Sequence, residues 1–236
     1  MHRKNAFTLS EILITIGIIG IVSALTLPTL MTKIRKRTVE TQLKKTYAML
    51  ANAVKHAENE YGVGFDMLEG VNHYSSEQSA QVFDKYLTPH LRINYKYSLE
   101  DCEKLVTVYV QNNDTPFKST TPACYSLSNG VSIAYFVGKQ SNIYFNSLSI
   151  YLNPNFQHKI AGRDSFSFDI VSGDNGLYIG NDAYKKSTRA KLIQDCGKNE
   201  SRFENPLGIQ ISPASPCSEL IRRDGWKINP DYPVKF

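Results

Sequence analysis

Lys4-Asn5-Ala6-Phe7-Thr8-Leu9-Ser10-Glu11 runs directly into Ile12-Leu13-Ile14-Thr15-Ile16-Gly17-Ile18-Ile19-Gly20-Ile21-Val22. A short basic leader is thus followed by an apolar stretch long enough to enter a bilayer. Between Phe7 and Met31 the only charged residue is Glu11, and about 20 apolar residues suffice to span a membrane core. Thr15, Ser23 and Thr26 dilute the segment without interrupting it. A carboxylate in hydrocarbon is costly, so Glu11 calls for a functional reason.

A secretory signal peptide would use Arg3 and Lys4 as its basic region, Ile12 to Val22 as its apolar core, and a cut near Ala24. It gives no reason for Glu11. A plain membrane anchor is the second reading. For the third, Phe7-Thr8-Leu9-Ser10-Glu11 resembles the leader of the type IV pilins and of the pseudopilins of type II secretion systems, whose signature is Gly-Phe-Thr-Leu-x-Glu. Ala6 stands where the glycine would be. The resemblance implies that a prepilin peptidase cuts after Ala6 and methylates the new amine of Phe7. Gly20 and Pro28 fall where pilins commonly place a helix-weakening glycine and proline. Other implied partners are further pilin or pseudopilin subunits, an assembly platform in the inner membrane, and membrane lipid. The implied location is the bacterial inner membrane, crossed once with the C-terminal domain outside the cytoplasm, and then a periplasmic or surface filament.

Elementary physics supports the same reading. After the cut, Phe7 carries a free amine at the start of an apolar helix, and Glu11 lies one turn on, on the same side. In a filament that carboxylate can meet the amine of a neighbouring subunit, relieving the burial of both charges. The resemblance implies the same pairing. Gly20 and Ala24 form a small-xxx-small spacing that lets helices approach closely. Pro28 lacks an amide hydrogen and should kink the helix.

The chain of 236 residues is long enough for one stalked domain with a sizeable core, or for two small ones. Its net charge of +5, or +3 without Arg3 and Lys4, is too mild to argue for nucleic acid. The four cysteines Cys102, Cys124, Cys196 and Cys217 form no Cys-x-x-Cys pair and the histidines are scattered, which disfavours zinc. In an exported domain an even count reads as disulfides. Three connectivities are open. The local one would close two loops of about twenty residues, each stabilising by roughly 3 kcal/mol. A disulfide loop near the C-terminus resembles type IV pilins more than pseudopilins.

Lys33-Ile34-Arg35-Lys36-Arg37 follows the apolar segment and can grip anionic headgroups. Charge bias alone would place this flank, with four Lys/Arg against two in the leader, in the cytoplasm. The leader and the cysteines require the opposite orientation. Further on, Val39, Leu43, Tyr47, Leu50, Val54, Ala57 and Tyr61 recur at helical spacing. Lys44, Lys45, Lys55, Glu58 and Glu60 read as the solvated face. The helix should run to about Tyr61 and stop at Gly62 and Gly64. The expected plan is a leader over 1–6, a transmembrane or filament-core helix over 7–31, its amphipathic continuation over 32–62, and a globular head over 63–236.

In the head, a helix is predicted over Glu77 to Leu87, ended by Pro89. Strands are predicted at Leu105–Val110, Val131–Val137, Ile143–Leu152 and Ser165–Val171, the last turning through Asn175-Gly176 into Leu177–Ile179. The fold class is α+β: a long N-terminal helix packed on an antiparallel sheet with disulfide-closed loops, the pilin-like plan. Gly162-Arg163-Asp164-x-Phe166-x-Phe168 before Asn175-Gly176, and the tail from Cys217 to Pro233, also resemble pilin-like heads.

No nucleophile elbow, metalloprotease helix, phosphate loop or dinucleotide fingerprint is present, so neither a catalytic residue nor an enzyme is assigned. No metal ligand set or cofactor is assigned either. Asp164, Asp169, Asp174 and Asp182, with Asn175 and Asn181, offer oxygen ligands for calcium, yet turn formation explains them as well. Tyr95-Lys96-Tyr97 and Tyr184-Lys185-Lys186 could stack on single-stranded nucleic acid, a weaker reading than ordinary core and surface roles. Trp226 reads as a core or interface anchor. The function expected is that of a pilin-like subunit assembled through its N-terminal helix. The alternative is a membrane-anchored or secreted binding domain, for adhesion or DNA capture, that works through its head.

Overall fold

A computed structural model describes residues 8–63, 65–72, 75–118, 122–140, 143–173, 175–198 and 212–236. The chain divides into two compact units, 1–38 with Phe236, and 39–235. Helix α1 runs Leu9–Tyr61 and contributes to both.

Within 39–235, α1 presents Val39, Leu43, Leu50, Val54 and Ala57 to the interior, each at most 2 % exposed. Thr46, Ala53 and Glu58 are buried beside them. Two sequence expectations need correction here. Tyr61 is 42 % exposed, in a ring cluster with Phe65 and Tyr86, so the stripe ends at Glu58. Glu58 itself, assigned to the solvated face, is buried. Its Oε1 accepts from Leu177 N at 2.7 Å and its Oε2 from Lys55 Nζ at 2.7 Å. Helical spacing places a residue on a face, but only the hairpin packed there decides whether that face is wet. Gly62, at φ +101°, closes the helix in a conformation that costs a glycine little.

The main sheet is antiparallel throughout, in the order β1 (Ile93–Lys96), β4 (Ala123–Leu127), β5 (Ser132–Gln140), β6 (Ile143–Tyr151), β8 (Ser165–Gly173), β9 (Gly176–Gly180). Its register lines apolar side chains into rows. Tyr125, Ile133, Ile150 and Phe166 are successive partners, as are Tyr135, Leu148 and Phe168, and all are essentially buried. Alternation along a strand keeps these rows on one face, where Phe168 meets Tyr47 of α1 edge-on at 5.2 Å. Tyr47 Oη also donates to Ile179 O at 2.7 Å.

Helix α2 (Ser76–Tyr86) is capped by Ser75, whose hydroxyl accepts from Gln78 N. Phe83 on its inner face stacks on Tyr125 at 4.3 Å. A second sheet orders β3 (Asn113–Lys118), β2 (Thr107–Val110) and β7 (Lys159–Ile160), with β2 and β7 parallel. The first two residues of the strand expected over Leu105–Val110 are helical: α3 (Leu99–Val106) precedes β2 (Thr107–Val110). Ser98 caps α3, and Cys102, Leu105 and Val106 bury one helical face with the Cys102–Cys124 bond. The β-branched run was real but began two residues later. Helices α4 (Arg189–Asp195) and α5 (Ser215–Arg223) complete the fold.

Candidate functional site

The first turn of α1 holds the segment's single charge. Thr8 precedes the helix and Glu11 occupies its third position. Glu11 Oε2 accepts from Thr8 N and from Thr8 Oγ1, both at 2.8 Å, while Glu11 N donates back to Thr8 Oγ1 at 3.2 Å. This reciprocal arrangement is a capping box, which satisfies amide donors that the first turn cannot use internally. The Thr-x-x-Glu spacing was visible in the sequence, and Thr8 is the residue that the sequence reading left without a role. Both bonds to the carboxylate end on Oε2.

Beyond this cap the helix offers apolar surface. Leu13, Ile14, Ile16, Ile19, Ile21 and Leu25 are all more than half exposed, and the segment is long and apolar enough to cross a membrane. Gly17 and Gly20 have open space where a Cβ would stand. The helix continues through Pro28, whose missing N–H leaves the Ala24 carbonyl without its usual donor. Gly20 and Pro28 lie roughly 14 and 26 Å along the axis from Glu11, so the three act at separate levels of one helix. Ala6 and Phe7 lie outside the described residues.

A family model described as a prokaryotic N-terminal methylation motif matches residues 1–27, and the family of unknown function DUF6613 matches residues 29–236. The chain belongs to that family. No curated protein and no solved structure matches it. In this family member the methylation motif gives a type IV pilin or pseudopilin signature, and with it a pilin-like subunit processed by prepilin peptidase and assembled with other pilin subunits. The apolar helix and the methylation motif are consistent with a single-pass, membrane-anchored protein. Such a signature points to a structural subunit rather than an enzyme.

In the head the cysteines pair locally, Cys102 with Cys124 and Cys196 with Cys217. The first bond ties α3 to β4. The second joins the end of α4 to α5 and is packed by Gly162, which sits at φ +79°. A Cβ at Gly162 would stand 2.5 Å from Cys217 Sγ, and Tyr232 Oη donates to the Gly162 carbonyl at 2.6 Å. Glycine is required there twice over, by conformation and by space.

The acidic residues serve separate local bonds. Asp164, fully buried, accepts from Ile160 N and pairs with Arg163 at 2.9 Å. Asp169 accepts from Ser147 Oγ at 2.8 Å, and burial pushes its carboxyl up to about 6. Asp182 neighbours Asp169. Asn175 lies at the β8–β9 turn, Asn181 is buried, and Asp174 lies outside the described residues. Among the described residues no group of three or more His, Cys, Asp or Glu converges on one point. Tyr184 is buried against Leu192 and Leu220 and presents no ring for stacking, whereas Tyr95 is exposed. Trp226 packs on Tyr47 at 4.6 Å.

Other partnerships had no signal in the linear sequence. Arg189 holds both Asp224 and Asp231 through paired nitrogens, keeping both carboxyls below the usual range. Glu40 on α1 accepts from Ile228 N at 2.8 Å. Both clamps fasten the C-terminal tail to the head.

Proposed function

We propose that this chain is a subunit of a type II secretion pseudopilus or a type IV pilus, cut after Ala6 and incorporated through α1. Glu11 is the assembly residue, pairing with the methylated Phe7 amine of a neighbouring subunit. Gly20 and Pro28 loosen the helix for packing in the filament, and Ile12 to Leu27 form its apolar core. The observation that carries this reading is a single carboxylate held at the first turn of α1, in a segment that is otherwise uncharged, apolar and exposed as far as Met31. Its bonds occupy Oε2, so Oε1 keeps lone pairs for a second donor. Charge-assisted contact with an amine outweighs a neutral hydrogen bond. Membrane lipid holds the subunit before assembly, with Lys33, Arg35, Lys36 and Arg37 against headgroups.

Glu11→Ala expressed in the native host tests the pairing. Mass spectrometry should still find a chain beginning at methylated Phe7, while sheared filaments should lose most of the variant. Normal incorporation of the Glu11→Ala chain would remove Glu11 from assembly. A mature chain beginning after Ala24 would replace the whole reading with a secreted protein.

A further inference from the structure

Phe236 belongs structurally with the other end of the chain. It groups with residues 1–38 rather than with 39–235, and Lys36 Nζ stands 5.9 Å from the centre of its ring. The residues before it are fixed: Val234 is buried, and Lys235 N donates to Gln111 Oε1 at 2.8 Å. Phe236 itself is half-buried, so part of an apolar ring stays open at the level of the basic run on α1. Axial distance says what lies at that level. From Leu9 to Met31 the helix is continuous and carries no charge except Glu11, a length of about 33 Å against a hydrocarbon core of about 30 Å. Lys36 lies about 7.5 Å beyond Met31, at headgroup depth. Leu30, Met31 and Ile34 are all more than half exposed, so the apolar surface of the segment continues among Lys33, Arg35, Lys36 and Arg37. Lysine and arginine lay their stems on such surface and lift their charge to the headgroups, and aromatic rings at this depth act as interfacial anchors. Between Met31 and Glu40 there is no acidic side chain, and Glu40 is engaged by Ile228 N and Lys227.

We propose that Phe236 and the basic run form one binding surface for acidic phospholipid. The ring enters the boundary between headgroups and acyl chains, and the cations meet the phosphates. Four cations within five residues favour an acidic over a zwitterionic surface, each contributing about 1 kcal/mol near negative lipid. An α-carboxylate on Phe236 would offset one of the four and leave the surface positive. The inference rests on the membrane reading of α1 and adds a lipid contact made from outside the helix.

The full chain reconstituted into vesicles tests it. Phe236→Trp exchanges one aromatic ring for another, and the single native tryptophan, Trp226, packs on Tyr47 within residues 39–235 and supplies the background. In phosphatidylcholine vesicles containing phosphatidylglycerol, lipids brominated high on the acyl chain should quench the Phe236→Trp chain at least about twice as strongly as the unsubstituted chain. Vesicles of phosphatidylcholine alone should give about half that excess, and adding Lys36→Glu to Phe236→Trp should bring acidic vesicles down to the same level. Failure of the unsubstituted chain to float with vesicles of either kind would overturn the membrane reading itself. Flotation without excess quenching of Phe236→Trp would overturn the anchor alone. An excess that is equal in acidic and neutral vesicles, or that ignores Lys36→Glu, would overturn the acidic-lipid surface.

Discussion

Glu11 and Glu58 sit near opposite ends of the same helix and do opposite things with the same functional group. Glu11 closes a cap within its own turn and is surrounded by apolar side chains that are exposed. Glu58 reaches across to the Leu177 amide in a different part of the fold with one oxygen, and accepts from the Lys55 ammonium of its own helix with the other. Gly176 lets the β8–β9 turn approach so closely that a Cβ there would lie 2.0 Å from Glu58 Oε1. One carboxylate caps its own helix, and the other holds the chain's own hairpin. A charge on a helix therefore takes its meaning from what is packed over it.

The largest expected effect separates the two halves of α1 by their apolar residues. Leu50→Ala should destabilise the head by about 2–5 kcal/mol, since it opens a cavity beneath the sheet. Ile19→Ala should change head stability by less than about 0.5 kcal/mol. Urea unfolding of the full chain in detergent, followed by Trp226 fluorescence, compares them, and equal losses would erase the distinction between the halves.

Glu58→Ala comes next. It leaves the Leu177 amide buried without an acceptor, at a cost of about 1–3 kcal/mol, and should speed amide exchange selectively in β9. Unchanged exchange at Leu177 would mean that the carboxylate does not hold the hairpin.

A smaller effect concerns Asp169, whose carboxyl burial raises to about 6. Below about pH 4 it is protonated in both folded and unfolded chains, and the fold carries no penalty. As the pH rises from about 4 to 6 the unfolded chain ionises more readily, so this residue's contribution to stability is lost across that window, by on the order of 1–2 kcal/mol given its partial exposure. Asp169→Asn should flatten the decline. Parallel curves for the two proteins between pH 4 and 6.5 would refute the assignment.

Thr8→Ala should have the smallest effect, about 1 kcal/mol confined to the first turn, read as faster exchange at Ser10 and Glu11 with the head untouched. Its value lies in contrast with Glu11→Ala. If Thr8→Ala chains still enter filaments, Glu11 acts on a neighbour and not through its cap. Loss of both variants would place the cap itself at the centre of assembly.

Much of this molecule was legible because the relevant patterns are local. The long helix, its stop at Gly62, helix α2, strands β5, β6 and β8, and the Asn175-Gly176 turn all follow from periodicity and turn chemistry within a dozen residues. Helix α3 was hidden because Leu105 and Val106 are as good in a strand as in a helix, and their burial beside a disulfide settled the matter. The short strands β1, β3 and β7 carry almost no pattern of their own and exist through their partners. At the candidate site the apolar run and its lone glutamate were plain, while the reciprocal Thr8 bond depends on the side-chain geometry of the first turn.

By itself the sequence determined the apolar helix, the methylation signature and the alternation of the sheet, because each depends on neighbours close along the chain. Only the tertiary structure decided which cysteines pair, and that Glu58 is buried. Those outcomes join residues far apart in sequence, and burial and charge pairing are properties of the space around a side chain rather than of the side chain alone.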